Sequence, residues 1–300
     1  MRFGRGRGAG RGMGGRSPLG GMFGGGRRRG RMPGGWKVRV LIFAGMAIFA
    51  LITYFSQSSV NPITGETQRA GDPAQDVALG LQAAPEMAAQ FGGPSRDRQA
   101  QARVARIGAD LLRGMRQVYD LDSVPYEFSF TLLADDQTVN AFALPGGPTF
   151  ITEALYRQLP ADAEIAGVMG HEIGHVIHRH GAERMAKAKL QQGLTGAAVM
   201  ATGDYSAGQI ANVVGNFIQT SYGRDQEIES DVEGVHLTAA AGYDPRALIR
   251  VMEVLRDASG GAPRGPEWSS THPAPENRIA KIEATIAELF PNGVPDNLRY

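Results

Sequence analysis

The sequence predicts a mainly helical α+β domain with one small antiparallel sheet, preceded by a basic segment and one transmembrane helix. Three observations lead to this prediction. Apolar residues recur at helical spacing in several segments after residue 73, and alternation typical of strands is confined to residues 126–151. An uncharged run of sixteen residues, 40–55, follows an arginine-rich start.

The composition bounds the kinds of site that the chain can build. Its 300 residues suit one globular domain with a tail, and 20% charged and 42% hydrophobic residues are ordinary for a folded protein. The chain has no cysteine, which excludes disulfides, thiol nucleophiles, cysteine zinc sites and a lipoprotein-type anchor. Any metal site must therefore use histidines and carboxylates.

Charge separates the two ends of the chain. Residues 1–39 carry eleven basic groups, and the first acidic residue is Glu66, so residues 40–300 have a net charge of −10. Residues 1–36 are rich in glycine and arginine and are expected to be disordered. We interpret this segment as a solvated basic flank that sets membrane topology. Binding to RNA or anionic lipid is the alternative, and no specific nucleic-acid partner is expected.

Residues 37–55 are predicted to be a single-pass membrane anchor. The apolar run is slightly shorter than the ~20 residues that span a bilayer, but snorkelling Lys37 and interfacial Trp36 and Tyr54 extend it. A cleaved signal peptide is the alternative, although no small-x-small cleavage site ends the run. The arginines predict a cytoplasmic N-terminus, with everything after the anchor on the far side of the membrane.

A polar linker, residues 56–72, leads into a domain at 73–300. The predicted helices are 73–91 (kinked or divided at Pro85), 97–119, 161–181, 227–241, 245–257 and 276–289. The predicted strands are 126–133, 140–144 and 149–151. Residues 187–220 form two apolar stretches, split at 202–204, that are too short to span a bilayer and are expected to pack as helices.

The strongest motif is His171-Glu172-Ile173-Gly174-His175. Residues four apart share one helical face, so both imidazoles can reach one ion. Glu172 lies beside the first histidine, where its carboxylate can take a proton from water that zinc activates near neutral pH. The alternative is a helix with two unremarkable histidines. The apolar neighbours make it a buried helix, and buried polar groups are costly unless paired.

A catalytic zinc needs a third protein ligand. His178 and His180 follow the motif, but three turns of one straight helix cannot surround a tetrahedral ion, and the metzincin extension is absent. We interpret both as structural or surface residues. Glu227 is the better candidate. Asp231, four residues later on the same face, can accept a hydrogen bond from a ligand histidine. Alone, this acidic segment would suit a solvated helix face.

His272 precedes the final helix in a proline-rich loop. It could donate to the oxyanion of a tetrahedral intermediate or occupy the open zinc position at rest. A surface loop residue is the plain alternative, and the residues alone leave the three open.

Several ordered blocks between residues 61 and 282 give the chain a family resemblance. It resembles the gluzincin family that groups the CAAX prenyl-protein endoproteases with the HtpX and Oma-type proteases, most of all the periplasmic BepA and LoiP-like branch. The blocks are Asn61-Pro62-Ile63-Thr64-Gly65, residues 140–147, the His171–His175 motif with Arg179-His180, Arg224 ahead of Glu227–Asp231, and Thr271-His272-Pro273 ahead of Arg278-Ile279.

The resemblance implies one zinc ion held by His171, His175 and Glu227, with Glu172 as the base. It implies that Asp231 supports a ligand histidine and that His272 belongs to the active site. It also implies an edge strand at 140–144.

Main-chain contacts from that edge strand would hold a polypeptide substrate, and Asn140 and Ala143 are the predicted contacts. The implied function is hydrolysis of misfolded envelope proteins by a domain on the periplasmic side of the inner membrane. The multi-span hydrophobic layout of the prenyl proteases and HtpX is absent, which argues against intramembrane prenyl-protein processing. A zinc-containing, chaperone-like binding protein and an RNA-associated protein are the alternatives, and the oligomeric state is left open.

Overall fold

Helices dominate the fold, which confirms the predicted mainly helical α+β class. The computed structural model describes residues 36–68, 70–121, 125–202, 221–259, 268, 272 and 277–300. The basic segment at 1–36, predicted to be disordered, lies outside these residues except for Trp36.

The first helix, α1, spans Trp36–Ser56 and covers the predicted anchor. It packs along α6 (His180–Thr202), and its outer face carries exposed apolar side chains such as Leu41 and Phe49. Among the described helices, none combines the length and the apolarity that crossing a bilayer requires. The predicted transmembrane segment is thus not shown.

Two helices follow a short hairpin, whose strands are β1 (Ser59–Val60) and β2 (Thr67–Gln68). Helix α2 (Pro73–Gln90) continues through Pro85 without the predicted division. Helix α3 (Arg98–Val118) starts where Asp97 accepts hydrogen bonds from two backbone amides. Of the apolar residues that predicted α3, Val104, Ile107, Leu111 and Met115 are 0% exposed, whereas Leu112 is half-buried and Ala102 is exposed.

The main sheet has three strands in the order β3-β5-β4: β3 (Ser129–Leu133), β4 (Ala141–Ala143) and β5 (Pro148–Thr152). β5 is antiparallel to β4 but parallel to β3, so the predicted antiparallel sheet is wrong and the sheet is mixed. A tight turn, in which Gly146 and Gly147 adopt positive φ, fixes the β4–β5 hairpin. Residues 134–140 connect β3 to β4 and cross the position between them that β5 later occupies.

The two edges of this sheet differ. On the β3 side, the Gln101 side chain donates to the Phe130 carbonyl and accepts from the Leu132 amide, both at 2.8 Å. These bonds occupy backbone groups that another strand would use. β4 forms the opposite edge, as predicted for residues 140–144.

The helix that carries the histidine motif, α5, spans Asp162–Ile177 and is buried along its length. The prediction that it continues to residue 181 is wrong, because Arg179 adopts a left-handed φ of 54° and α6 begins at His180. Long-range contacts explain the break: the buried Arg179 side chain donates to Asp76 at 2.8 Å and to Ser59 at 2.6 Å. Of the predicted apolar stretches, the second lies outside the described residues.

The β1–β2 hairpin caps the end of α5. Asn61 Nδ2 donates to the carbonyl of Ile177 at 2.6 Å, and Gln68 Nε2 donates to the carbonyl of His178 at 2.8 Å. Asn61 Oδ1 accepts from the amides of Ile63 and Thr64, which shapes the loop. Carbonyls at a helix C-terminus lack partners within the helix, so these side chains complete it.

The remaining helices are α4 (Glu153–Tyr156), α7 (Arg224–Ala240), α8 (Ala247–Ser259) and α9 (Arg278–Leu289). The main hydrophobic core lies between α3, α5, α7, α8, α9 and one face of the sheet. α5 and α7 form the central helix pair of this core, and the candidate site lies where they meet.

Candidate metal centre and active site

Glycines let α5 and α7 approach closely enough to share one site. A Cβ added to Gly170 would lie 3.2 Å from the Gly234 carbonyl oxygen, and one added to Gly174 would lie 3.0 Å from Ser230 Cα. Side chains at these positions would force the helices apart. The glycine inside the histidine motif therefore has a packing role.

Four side chains converge at this contact: His171, His175, Glu227 and His272, each at most 2% exposed. The Nε2 atoms of His171 and His175 are 3.1 Å apart. Glu227 faces both, with Oε2 3.7 Å from His171 Nε2 and Oε1 3.5 Å from His175 Nε2. The structure thus brings together the three predicted zinc ligands.

The donor set suits zinc. Two nitrogens at ~2.05 Å from one ion, at a tetrahedral angle, lie about 3.3 Å apart, close to the separation of the two Nε2 atoms. His171 Nδ1 lies 2.9 Å from the carboxylate of Asp231, which places the ring proton on Nδ1 and leaves a lone pair on Nε2. Facing lone pairs repel unless a cation lies between them, so these buried donors fit a bound metal.

Arg278 of α9 supports the carboxylates of the site. Its guanidinium donates two hydrogen bonds of 2.6 Å to Asp231, and its Nη1 lies 2.9 Å from Glu227 Oε2. Burial opposes ionisation of Asp231, but the hydrogen bonds from Arg278 and His171 outweigh it and lower its pKa. Asp231 is therefore held as a carboxylate against the ring of His171, in the place predicted for it.

His180 lies against the other histidine of the motif. Its Nδ1 is 2.8 Å from His175 Nδ1, and its Nε2 is 2.9 Å from Glu229 Oε2. At 2% exposed, His180 is buried, so the surface part of its prediction is wrong.

His272 reaches the centre from the segment before α9. Its Nδ1 lies 3.4 Å from His171 Nε2 and 3.0 Å from Glu227 Oε1, so it stands among the metal donors. The ring of Trp268 stacks on His272, with centroids 4.7 Å apart and planes at 18°. The predicted surface-loop alternative is wrong, because His272 is 1% exposed.

Glu172 is fully buried beside the donor cluster. Its Oε1 accepts from Trp268 Nε1 at 3.4 Å and lies 3.5 Å from His272 Nε2. Its Oε2 has no hydrogen-bond partner among the described residues. Burial raises the pKa of Glu172, although the nearby His272 and His171 oppose the shift. A carboxylate whose pKa moves towards neutrality suits proton transfer.

Aromatic rings close the site. Tyr222, just before α7, stacks on His175 with centroids 3.8 Å apart, and the Arg184 guanidinium lies 4.2 Å from the Tyr222 ring. Burial raises the pKa of Tyr222 to about 12, so its phenol is neutral. A cavity of about 10 Å³ remains between β4, His175 and Tyr222, enough for roughly one water molecule. A peptide needs the side chain of Tyr222, Trp268 or His272 to move.

The edge strand β4 borders this cavity through Ala143. The Thr152 amide donates to the Asn140 carbonyl at 3.0 Å, and the Asn140 amide donates to the Thr152 hydroxyl oxygen at 3.2 Å. The pairing alternates along an antiparallel ladder, so the N–H and C=O groups of Ala141 and Ala143 point away from β5. Ala143 thus lies as predicted, whereas the main-chain groups of Asn140 face β5 and are already bonded.

Several residues of the site had no predicted role in it: Trp268, Tyr222, Arg278 and Glu229, together with His180, which was predicted only as a structural or surface residue. Arg278 and His180 stood in the recognised blocks, yet nothing in their spacing relates them to a metal ligand. Trp268 and Tyr222 carry no local signal in the sequence, because no spacing relates either residue to the histidine motif.

A centre of two histidines and one glutamate, with a further glutamate between the histidines on one buried helix, defines a metallopeptidase domain of the gluzincin type. The sequence profile described as "Peptidase family M48" matches residues 98–286, which include every residue of the centre. The chain belongs to this family.

Curated relatives agree with this assignment. The chain is 35% identical over 188 residues to the beta-barrel assembly-enhancing protease of Escherichia coli, covering 59% of this chain and 38% of the relative. It is 34% identical over 154 residues to the mitochondrial metalloendopeptidase OMA1 of Schizosaccharomyces pombe, covering 51% and 45%. The corresponding protein of Saccharomyces cerevisiae is 32% identical over 168 residues, covering 54% and 47%. The matches thus span less than half of each relative.

Proposed function

We propose that this chain is a zinc-dependent metalloendopeptidase that hydrolyses polypeptides of the cell envelope. The observation that carries the proposal is the convergence of His171, His175 and Glu227 beside the buried carboxylate of Glu172. Membership of family M48 and the names of the relatives support peptidase activity. Zinc, when bound by these three residues, would polarise a substrate carbonyl and lower the pKa of water to about 7.

Proton transfer falls to Glu172. Its Oε2, which has no partner among the described residues, is the atom that would take a proton from the attacking water and pass it to the leaving amine. The indole of Trp268 and the imidazole of His272 orient the other oxygen. Asp231 and Arg278 fix the ring of His171, so that its Nε2 faces the metal position.

Substrate would be held by strand addition at β4. The outward main-chain groups of Ala141 and Ala143 can pair with an extended peptide, which places its scissile bond near Glu172. Main-chain pairing requires an extended backbone and not a particular sequence, which suits a peptidase that accepts varied, unfolded polypeptides.

His272 has two proposed roles at different stages. At rest, its Nδ1 would complete the donor set, and the stacked Trp268 would hold it there. When substrate displaces it, the ring would be free to donate to the developing oxyanion. The closed site favours this latent state. A site closed in this way is also compatible with one alternative function, that of a zinc-containing binding protein with little turnover.

The extracytoplasmic location is part of the proposal. It is supported by the eleven basic groups of residues 1–39, which precede the uncharged apolar run at 40–55. Fusing a compartment-dependent reporter enzyme to the C-terminus tests it, because only an exported domain gives a signal with a reporter that is active outside the cytoplasm.

Zinc content and casein cleavage, measured together on the full chain, test the reaction. Wild type is expected to hold one zinc ion per chain and to cut. Glu172→Gln should keep the metal and lose cleavage at least 100-fold, because a positioned general base contributes about 10²–10⁴-fold. The exposed carboxylate variant Glu288→Gln is the matched control.

Other outcomes separate the alternatives. If wild type binds zinc and does not cut, Trp268→Ala, which removes the ring stacked on His272 and keeps the oxyanion donor, decides between a latent enzyme, which gains activity, and a binding protein, which does not. A folded wild-type chain that binds no zinc would contradict the proposed function outright.

A further inference from the structure

The turn between α5 and α6 brings His180 to the metal centre as a neighbour of a ligand and not as a ligand itself. A continuous α-helix would place residue 180 about 140° around the axis from His175. The left-handed Arg179 breaks the helix, and His180 returns to contact His175 Nδ1 at 2.8 Å. His180 therefore lies behind the ligand, on the side away from the donors that converge on the metal.

The proton positions along this contact follow from the ligand role of His175. Its Nε2 faces His171 and Glu227, so a metal ligand at that atom must be unprotonated, and the ring proton lies on Nδ1. That proton can bond only to an acceptor, so His180 Nδ1 is unprotonated and the His180 proton lies on Nε2. Nε2 is 2.9 Å from the carboxylate of Glu229, which accepts it.

We propose that His180 and Glu229 are positioning residues for the zinc ligand His175. The chain of bonds runs from His175 Nδ1 to His180 and from His180 Nε2 to Glu229. It fixes the His175 tautomer and ring orientation, as the Asp231–Arg278 pair does for His171. The inference rests on the proposed zinc centre, and it adds two residues on which that centre depends.

His178 lies on the other side of Glu229. Its Nδ1 is 3.2 Å from Glu229 Oε1 but makes no hydrogen bond among the described residues, and its Nε2 is 3.5 Å from Glu233 Oε2. The Glu229 side chain is 46% exposed, and its hydrogen bond to His180 Nε2 is the contact that orients it. Among the described side chains, only His175 and Ser230 lie at hydrogen-bond distance from His180 Nδ1. Ser230 Oγ is the more distant of the two, at 3.4 Å.

Zinc affinity of the full chain, measured by competition with a chelator, tests the proposal. Loss of such an outer hydrogen-bond partner typically weakens metal binding 10- to 100-fold. His180→Phe, which keeps a ring but no acceptor, should show this loss. His180→Asn offers an amide oxygen near the Nδ1 position and should recover most of it. Glu229→Ala should weaken binding about 10-fold, whereas the exposed Asp225→Asn on the same helix should not.

The melting temperature of the metal-free chain separates positioning from a structural role. A positioning role predicts that His180→Phe and His180→Asn melt together without zinc and differ only in zinc affinity. Equal affinities for these two variants would overturn the proposal, as would an affinity of Glu229→Ala equal to that of Asp225→Asn. A wild-type chain without zinc affinity would instead contradict the proposed function.

Ring-nitrogen NMR spectra of the zinc-loaded chain give a second readout that does not depend on activity. His175 is expected to carry its proton on Nδ1 and His180 on Nε2. A proton on His180 Nδ1 would reverse the direction of the hydrogen bond and refute the proposed arrangement.

Discussion

Asn61 is expected to be among the most sensitive residues outside the metal centre, because it completes the helix that carries His171 and His175. Asn61→Ala removes the bond to the Ile177 carbonyl and the two bonds that Oδ1 accepts from Ile63 and Thr64. The side chain is 1% exposed, so water cannot readily replace it. A buried carbonyl without a partner costs about 1–3 kcal/mol, and the two part-buried bonds to the Ile63 and Thr64 amides together add about 1 kcal/mol.

The expected loss in unfolding free energy is therefore about 2–4 kcal/mol, which we would measure by urea denaturation of the metal-free chain. For a domain of this size it corresponds to a fall in melting temperature of roughly 5–15 °C. Asn61→Asp keeps the shape and the acceptor for the two amides but sets a carboxylate against the Ile177 carbonyl. It should lose at least as much stability as the alanine variant at neutral pH.

The control is Asn277→Ala, since Asn277 is exposed and its side chain makes no capping bond to α9. This variant should stay within about 0.5 kcal/mol of wild type. If Asn61→Ala is as stable as the control, the end of α5 does not depend on the hairpin, and the capping argument is refuted.

Three further predictions concern packing and charge. Gly80→Ala should destabilise the fold strongly, since its Cβ would lie 1.9 Å from the Pro145 carbonyl oxygen, whereas Gly45→Ala meets no atom within 4 Å and should be neutral or slightly stabilising in thermal unfolding. Arg278→Leu should cost about 3–5 kcal/mol in urea denaturation, because two buried carboxylates lose their cation; a loss below ~1 kcal/mol would contradict this. Burial of Asp162 opposes ionisation of its carboxyl group. Hydrogen bonds from two α3 arginines outweigh this effect and lower the pKa of Asp162. Asp162→Asn should therefore reduce stability above about pH 4 and converge with wild type as the pH falls through the folded pKa; an unchanged difference in acid would refute the ion pair.

Local patterns in the sequence were sufficient to predict much of this fold. The stripe from Val104 to Met115 identified α3, and the four-residue spacing of His171 and His175 identified α5 and the centre. Glu227 and Asp231 could be paired with that motif because their own spacing puts both on one face of a helix. These inferences depend on periodicities that a single helix imposes on its own sequence.

The features that the sequence did not predict depend on contacts between distant segments. α5 ends at Ile177 because Arg179 turns inward towards Asp76 and Ser59, more than 100 residues earlier. The parallel pairing of β3 with β5 depends on the path of the connection 134–140, which has no periodicity to interpret. His180 became a neighbour of His175 only through that helix break, so its partner could not be identified from spacing along a continuous helix.

The bonds that Gln101 makes to β3 have a consequence for self-association. A sheet with two open edges can gain a strand on each side, and such addition can propagate from molecule to molecule into aggregates. Here the β3 edge is occupied by a side chain of the same chain, so pairing through β4 ends with one added strand. The β4 edge, which pairs with no described strand on its outer side, can then accept unfolded polypeptides while the protein avoids becoming a template for fibre growth.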